Sequence, residues 1–263
     1  MTAPESAIVG VDFTPTTLRL ILGRLDGEIL GQEEHPLPEL DDEAAWAWEV
    51  GGRISTLFAA EGGRLSALGI GVACPGTVDP VAGRLEECLA NEQWEGFHVV
   101  AALRQHIDAP IVALGRVEAA LRGEAALGNA SGTFDAIYVS LVDGPAAAVM
   151  TSGRIIGGAN HRAGALPAFP ELASEQPLMG EDLEQATALL ADLACLVDPS
   201  VVLIHGRPEH ADPLRPVLQR VLNEVLPGAQ VAPGALGDRA ALLGALKAAA
   251  IVAYEGARAD DES

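Results

Sequence analysis

Short apolar runs bounded by turn signals alternate along the chain with longer segments whose apolar residues recur at helical spacing. Ala7-Ile-Val-Gly-Val-Asp12 is a short apolar run ending in an acid, and residues 17–24 form a second; both predict strands. Asp26-Gly27 signals a tight hairpin, with residues 29–36 as the returning strand. Over residues 42–61, Trp46, Val50, Ile54, Leu57 and Phe58 recur at helical spacing, and Asp41 or Asp42 can cap the helix. A buried strand follows at 65–74, ended by Pro75-Gly76. The pattern then predicts a helix at 94–106, a strand at 110–114 and a helix at 117–127.

The pattern repeats. Residues 134–142 predict a strand, 146–151 its hairpin partner, Ser152-Gly153 the turn, and 154–156 the continuation. Helices are predicted at 182–197, 213–226 and 238–254, with a buried strand at 200–204; the acidic stretch 255–263 reads as a disordered tail. In the first of these helices Leu183, Ala186, Leu189, Leu190, Leu193 and Leu196 share a face, and Cys195 reads as a small apolar core residue. Each half opens with a strand hairpin and continues with alternating helices and strands. That order predicts two α/β domains with mixed sheets and a cleft between them. The expected division is 1–114 plus 240–256 for the N-terminal domain, 115–239 for the C-terminal one, and 257–263 for the tail.

Composition narrows the function. Hydrophobic residues make up 49% of the chain but aromatics only 4%, so Ala, Leu and Val must fill the core. The formal charge of -21 repels nucleic acid and anionic lipid, so neither is an expected partner. Cys74, Cys88 and Cys195 have no CxxC spacing, which fits a reducing compartment and no disulfide framework. The polar N-terminus lacks signal-peptide character, and no uninterrupted apolar segment is long enough to span a bilayer; a cytoplasmic protein is expected.

Several ordered segments resemble one family. Leu68-Gly-Ile-Gly-Val-Ala-Cys-Pro-Gly-Thr-Val-Asp-Pro-Val-Ala-Gly83 is similar to its strand, Pro-Gly turn and Val-Asp-Pro loop. Ala90-Asn-Glu-Gln-Trp-Glu-Gly96, Ile155-Ile-Gly-Gly-Ala-Asn160, Leu196-Val-Asp-Pro-Ser-Val-Val-Leu203 and Ala235-Leu-Gly-Asp-Arg-Ala-Ala-Leu-Leu-Gly244 follow in the family's order. The chain thus resembles the ROK family of sugar kinases, sugar-responsive repressors and uncharacterised relatives, from about Ile8 to Ala250. The resemblance implies the actin-like, duplicated ribonuclease-H-type fold, with the second domain shortened between about Phe169 and Asp182. It also implies a homodimer, formed through the C-terminal domain.

Against that family the site residues have changed. The resemblance places the sugar-deprotonating Asp, in an Asn-Asp pair, at Gly115-Arg116. A guanidinium stays protonated and has no acceptor, so Arg116 cannot act as the base. The first phosphate loop, Asp-Ile-Gly-Gly-Thr-Lys in the family, is Asp12-Phe-Thr-Pro-Thr-Thr17. Asp12 persists and could help organise magnesium, but Pro15 offers no amide. The second, glycine-rich loop is Val142-Asp-Gly-Pro-Ala-Ala-Ala148, where only Gly144 remains and Asp143 brings like charge. The family's Glu and His become Ala165 and Ala168, and its cysteine cluster is missing, so no metal site is expected. Asp12, Gly144 and Gly206 remain as vestigial nucleotide-side candidates, and Asn91, Gly76 and Asn160 as vestigial sugar-side ones; Asn91 equally suits a turn cap. His205 could stack on a base, though a surface histidine at a strand end reads the same way.

Three readings follow. A non-catalytic sensor, scaffold or partner subunit, with no cofactor and a possible protein partner, fits the combined losses. An ATP- and magnesium-dependent sugar kinase would need displaced carboxylates among Asp12, Asp143 and Glu118. A repressor would need a helix-turn-helix before the strand that begins by Ile8, and an opposite charge.

Overall fold

The computed structural model describes residues 5–40, 42–60, 65–88, 91–142, 145–166 and 177–261. The chain divides into two compact units, Met1–Ala119 with Ala241–Ser263, and Ala120–Ala240.

In the first unit, β1 (Glu5–Phe13), β2 (Thr17–Gly23) and β3 (Ile29–Pro36) form an antiparallel meander. β4 (Leu65–Cys74) and β7 (Ile111–Gly115) add in parallel, in the order β3-β2-β1-β4-β7. Between those two strands lie a small hairpin, β5 (Thr77–Asp79) and β6 (Arg84–Glu87), a 3-10 turn at Glu92–Trp94, and the short helix α2 (Val99–Leu103). Helix α1 (Glu43–Ala60) begins where Asp42 Oδ1 accepts from the Ala45 amide at 2.7 Å, one of the two caps expected. It buries Trp46, Val50, Ile54 and Leu57. Phe13 sits between Trp46 and Trp94, with ring centroids 4.9 and 5.3 Å away.

α6 (Ala240–Asp261) packs closely on the sheet at Gly10, Gly69 and Gly71. A Cβ at Gly71 would lie 2.0 Å from the Ala245 carbonyl oxygen, one at Gly69 2.5 Å from that of Ala249, and one at Gly10 2.8 Å from the Leu246 amide. Helix backbone therefore lies directly on sheet backbone. This contact accounts for the composition of α6. Among the described residues, Gly237–Arg258 is the one helical stretch long and apolar enough to cross a membrane by length and composition; Lys247 interrupts its apolar run, and its small residues are buried in the core. The helix also continues to Asp261, so residues 255–261 are not the disordered tail expected. Glu255, Ala257, Arg258 and Ala259 are helix formers that extend it.

The second unit repeats the plan. β8 (Ala136–Ser140), β9 (Ala146–Thr151), β10 (Arg154–Ile155), β11 (Val201–His205) and β12 (Gln230–Pro233) form a sheet in the order β10-β9-β8-β11-β12. The hairpin strands are antiparallel and the last two parallel, as in the first sheet. α4 (Gly180–Val197) and α5 (Pro208–Val225) cover it through Leu190, Ala194, Leu214, Leu218 and Leu222. α3 (Arg116–Leu127) leaves β7 in the first unit and continues into the second.

Three expectations are corrected. The helix expected over 94–106 is interrupted, because Gly96 turns at φ 83° between the 3-10 turn and α2. α5 starts at Pro208, with Pro213 and Pro216 inside it; Pro213 therefore does not mark its start. Cys195 is exposed, since its position on α4 faces away from the buried stripe of Ala186, Leu190 and Ala194.

Candidate functional site

Asp12 and Arg116, both singled out in the sequence, meet at the C-terminal ends of β1 and β7 in the first sheet. Asp12 is the last but one residue of β1, paired across the sheet with Arg19 on β2 and Ala73 on β4. Arg116 follows β7 directly and opens α3. Strand register alone thus brings Arg19 beside Asp12, and the neighbouring strand end delivers Arg116.

The geometry is that of an ion cluster. Arg116 Nε donates to Asp12 Oδ1 at 2.7 Å and its Nη2 to Oδ2 at 3.4 Å. Arg19 Nη1 donates to the same Oδ2 at 3.4 Å, and Arg19 Nε to Glu34 on β3 at 2.9 Å. The Asp12 side chain has no exposure, whereas each arginine side chain keeps 20%. Burial pushes the Asp12 carboxyl above its ordinary value, and the guanidiniums of Arg116 and then Arg19 pull against that rise. The charge ladder Glu34, Arg19, Asp12, Arg116 crosses the sheet edge with both carboxylate oxygens of Asp12 engaged.

The loops around it are built for packing. Thr14 Oγ1 accepts from the amides of Thr16 and Thr17 at 3.3 and 3.1 Å, so this hydroxyl closes its own turn. Gly76 stands at φ 127°, and a Cβ there would lie 2.0 Å from the Glu87 carbonyl oxygen. A Cβ at Gly115 would meet the Gly76 carbonyl oxygen at 2.8 Å. Asn91 Oδ1 caps the 3-10 turn by accepting from the Gln93 amide at 3.1 Å.

In the second unit, Gly206 follows β11, where a Cβ would lie 2.8 Å from Leu141 Cβ. His205 Nε2 lies 3.3 Å from Asp238 Oδ1, and its ring stacks on Tyr138 with centroids 6.2 Å apart. Asn160 is exposed in a turn between Gly158 and His161, both at positive φ. Ala165 bridges to Ala146, and Gly164 fits against the Ala147 carbonyl, which a Cβ would approach to 1.9 Å. Asp143, Gly144 and Ala168 lie outside the described residues, as does 167–176, most of the segment expected to be shortened. Among the described residues no group of three or more His, Cys, Asp or Glu side chains is arranged to hold a metal ion.

Two residues escaped sequence reasoning. Arg19 was hidden because strand pairing, not composition, makes it Asp12's neighbour; the hairpin centred on Thr14–Thr17 carried that signal. Glu124, in the last turn of α3, is fully buried in the second unit. Its two oxygens accept from the amides of Asn129 and Leu236, each at 2.8 Å, and so tie two loops to α3. Nothing in the local pattern separates it from Glu118, Arg116 and Arg122 of the same helix.

Solved structures share this fold. A ROK family glucokinase from Streptomyces griseus, solved with glucose and AMPPNP, aligns with a TM-score of 0.70 at 21% identity, over 92% of this chain and 99% of that one. A ROK hexokinase from Thermus thermophilus gives 0.72 at 20% identity, over 96% and 99%. A ROK family transcriptional regulator, homologous to the E. coli MLC protein, gives 0.77 at 15% identity, over 97% and 80%. No curated protein matches the chain by sequence. The sequence pattern of the ROK family matches residues 8–166, more than half of the chain. The fold is the actin-like, mixed α/β fold of ROK sugar kinases, and the chain belongs to the ROK family.

Proposed function

We propose that this protein is a ROK sugar-kinase-like protein that has lost phosphotransfer and acts as a non-catalytic sensor, scaffold or partner subunit. The observation that carries the reading is the Arg116 guanidinium bonded to the buried Asp12 carboxylate. General-base catalysis needs an acceptor within hydrogen-bond reach of the hydroxyl it deprotonates. Arg116 is donor-only, and the nearest carboxylate is already held on both oxygens by two guanidiniums.

Magnesium-ATP does not fit these residues. A hard divalent cation needs oxygen ligands, and the Asp12 oxygens face two cations instead. The first loop offers no amide at Pro15, and the Thr14 hydroxyl oxygen already accepts two hydrogen bonds. The carbonyl of Gly76 fills the space into which a side chain at position 115 would project.

Calorimetric titration of the purified protein with magnesium-ATP tests the reading. It predicts no saturable heat at millimolar nucleotide; tight, magnesium-dependent binding would contradict it. A cytoplasmic setting fits three cysteines without paired spacing. The family resemblance supports a homodimer, and sedimentation as a monomer at micromolar concentration would remove that part of the proposal.

A further inference from the structure

We propose that the outer face of α6 is a self-association surface, on which a second copy of this chain packs antiparallel with a two-fold axis at Ile251. This goes beyond the homodimer reading above, which rests on the family's C-terminal-domain contact, because α6 from Ala241 onward belongs to the first unit.

Helical spacing sets out the face. Ala245, Ala249 and Ala253 lie against Gly71 and Gly69 of the sheet. At about 100° per residue, the opposite side of α6 carries Lys247, Ile251 and Tyr254, with Glu255 beside them. All four are exposed, Ile251 at 40% and Tyr254 at 64%. A solvated helix face is ordinarily polar, whereas aromatic residues are enriched at interfaces. The apolar surface continues beside the helix. A Cβ at Gly23 would lie 3.3 Å from Leu246 Cδ2 and 3.6 Å from Ile29 Cδ1, so those two side chains meet there, and Leu25 and Ile29 are exposed.

Lys247 and Glu255 indicate what covers this face. Each is four residues from Ile251, toward opposite ends of the helix. They therefore lie about 6 Å along the axis from it and about 40° to opposite sides. A two-fold axis through Ile251 exchanges the two positions. Lys247 of one copy then stands opposite Glu255 of the other, and the pair forms twice, as an isologous contact requires. Among the described residues neither side chain makes an ion pair within its own chain. A parallel arrangement would instead set like charges together. The same axis puts Tyr254 opposite Ala248, whose small side chain leaves room for the ring.

The rest of the surface works against self-association. With a formal charge of -21, two copies repel wherever acidic faces approach. Lys247 is the only lysine in the chain, and it stands on this apolar stripe with an acid at the matching position. A contact one helix and one hairpin wide lies at the small end of specific interfaces, so association is expected on the order of tens of micromolar.

Sedimentation velocity of the full chain, from about 5 to 200 µM, tests the surface. The expected result is concentration-dependent association. Lys247→Glu and Glu255→Lys each place like charges opposite one another twice, so in either variant the dissociation constant should rise about tenfold or more. Both positions are exposed, so folding is kept. The double variant restores both pairs with their signs exchanged, and its constant should return to within about threefold of wild type. A second readout locates the axis. With the exposed Cys195 replaced by serine, Ile251→Cys should form a disulfide between copies under mild air oxidation, and Thr56→Cys, exposed on α1, should not. Association undiminished in both single variants, with no disulfide at position 251, would overturn this surface and leave the homodimer reading standing. A monomer throughout the concentration range would overturn both.

Discussion

Arg116 stands where the family resemblance places an acceptor, and it donates to the buried Asp12 carboxylate at 2.7 Å. Removing one partner of a buried ion pair leaves the other desolvated. Arg116→Met should therefore destabilise the protein by about 3 kcal/mol, since Arg19 alone holds Asp12 at 3.4 Å. Replacing both, Asp12→Leu with Arg116→Met, should return stability to within about 1 kcal/mol of wild type or above it. Urea unfolding of the wild type and the two variants checks this, and an unaffected single variant would contradict it. The pH dependence follows from the raised Asp12 value. The folded state holds that proton more tightly than the unfolded chain, so Asp12's contribution is full below its unfolded value and is lost as pH rises through the folded one. The stability difference between wild type and Asp12→Asn should accordingly decline across that interval. Arg116 and Asp12 were legible from motif positions alone. Arg19 and Glu124 were not, because their roles come from strand register and loop closure that no local pattern reveals.

Elements were most legible where one periodicity ran without interruption. β1 to β4 and the two hairpins follow from apolar runs and turn pairs. Local rules failed where an element tolerated a residue that usually ends it, as at Pro213 inside α5, or where one glycine divided an apolar helical pattern, as at Gly96. β12 lies at a sheet edge, is four residues long and ends in proline, leaving little pattern to read. Glycines supply the sharpest test at this scale. Gly71 has helix backbone where a side chain would sit, and backbone cannot rotate away. Gly71→Ala should cost about 2 kcal/mol through overpacking against α6. Gly52, exposed in α1 with nothing within 4 Å of its added Cβ, should respond oppositely: Gly52→Ala should stabilise by up to about 1 kcal/mol through helix propensity. Thermal melts that give both substitutions the same sign would contradict the packing described.

At the scale of the molecule, the two sheets repeat one strand order, and the ROK sequence pattern over residues 8–166 carries the family assignment. The sequence conveyed the repeat through two successive hairpins, each followed by alternating helices and strands. Fold does not carry activity: the solved relatives include kinases and a transcriptional regulator on the same scaffold. The feature the account turns on is local, a carboxylate bound between two guanidiniums where the family resemblance places the proton acceptor. The most direct measurement is transfer of the terminal phosphate of ATP, with magnesium, to a panel of hexoses and amino sugars, read by mass spectrometry of the sugar. The account predicts no sugar phosphate above the protein-free control, for wild type and for Arg116→Asp alike, because restoring one carboxylate leaves Pro15 and the Gly115–Gly76 contact in place. Steady accumulation of a sugar phosphate by the wild-type protein would contradict it.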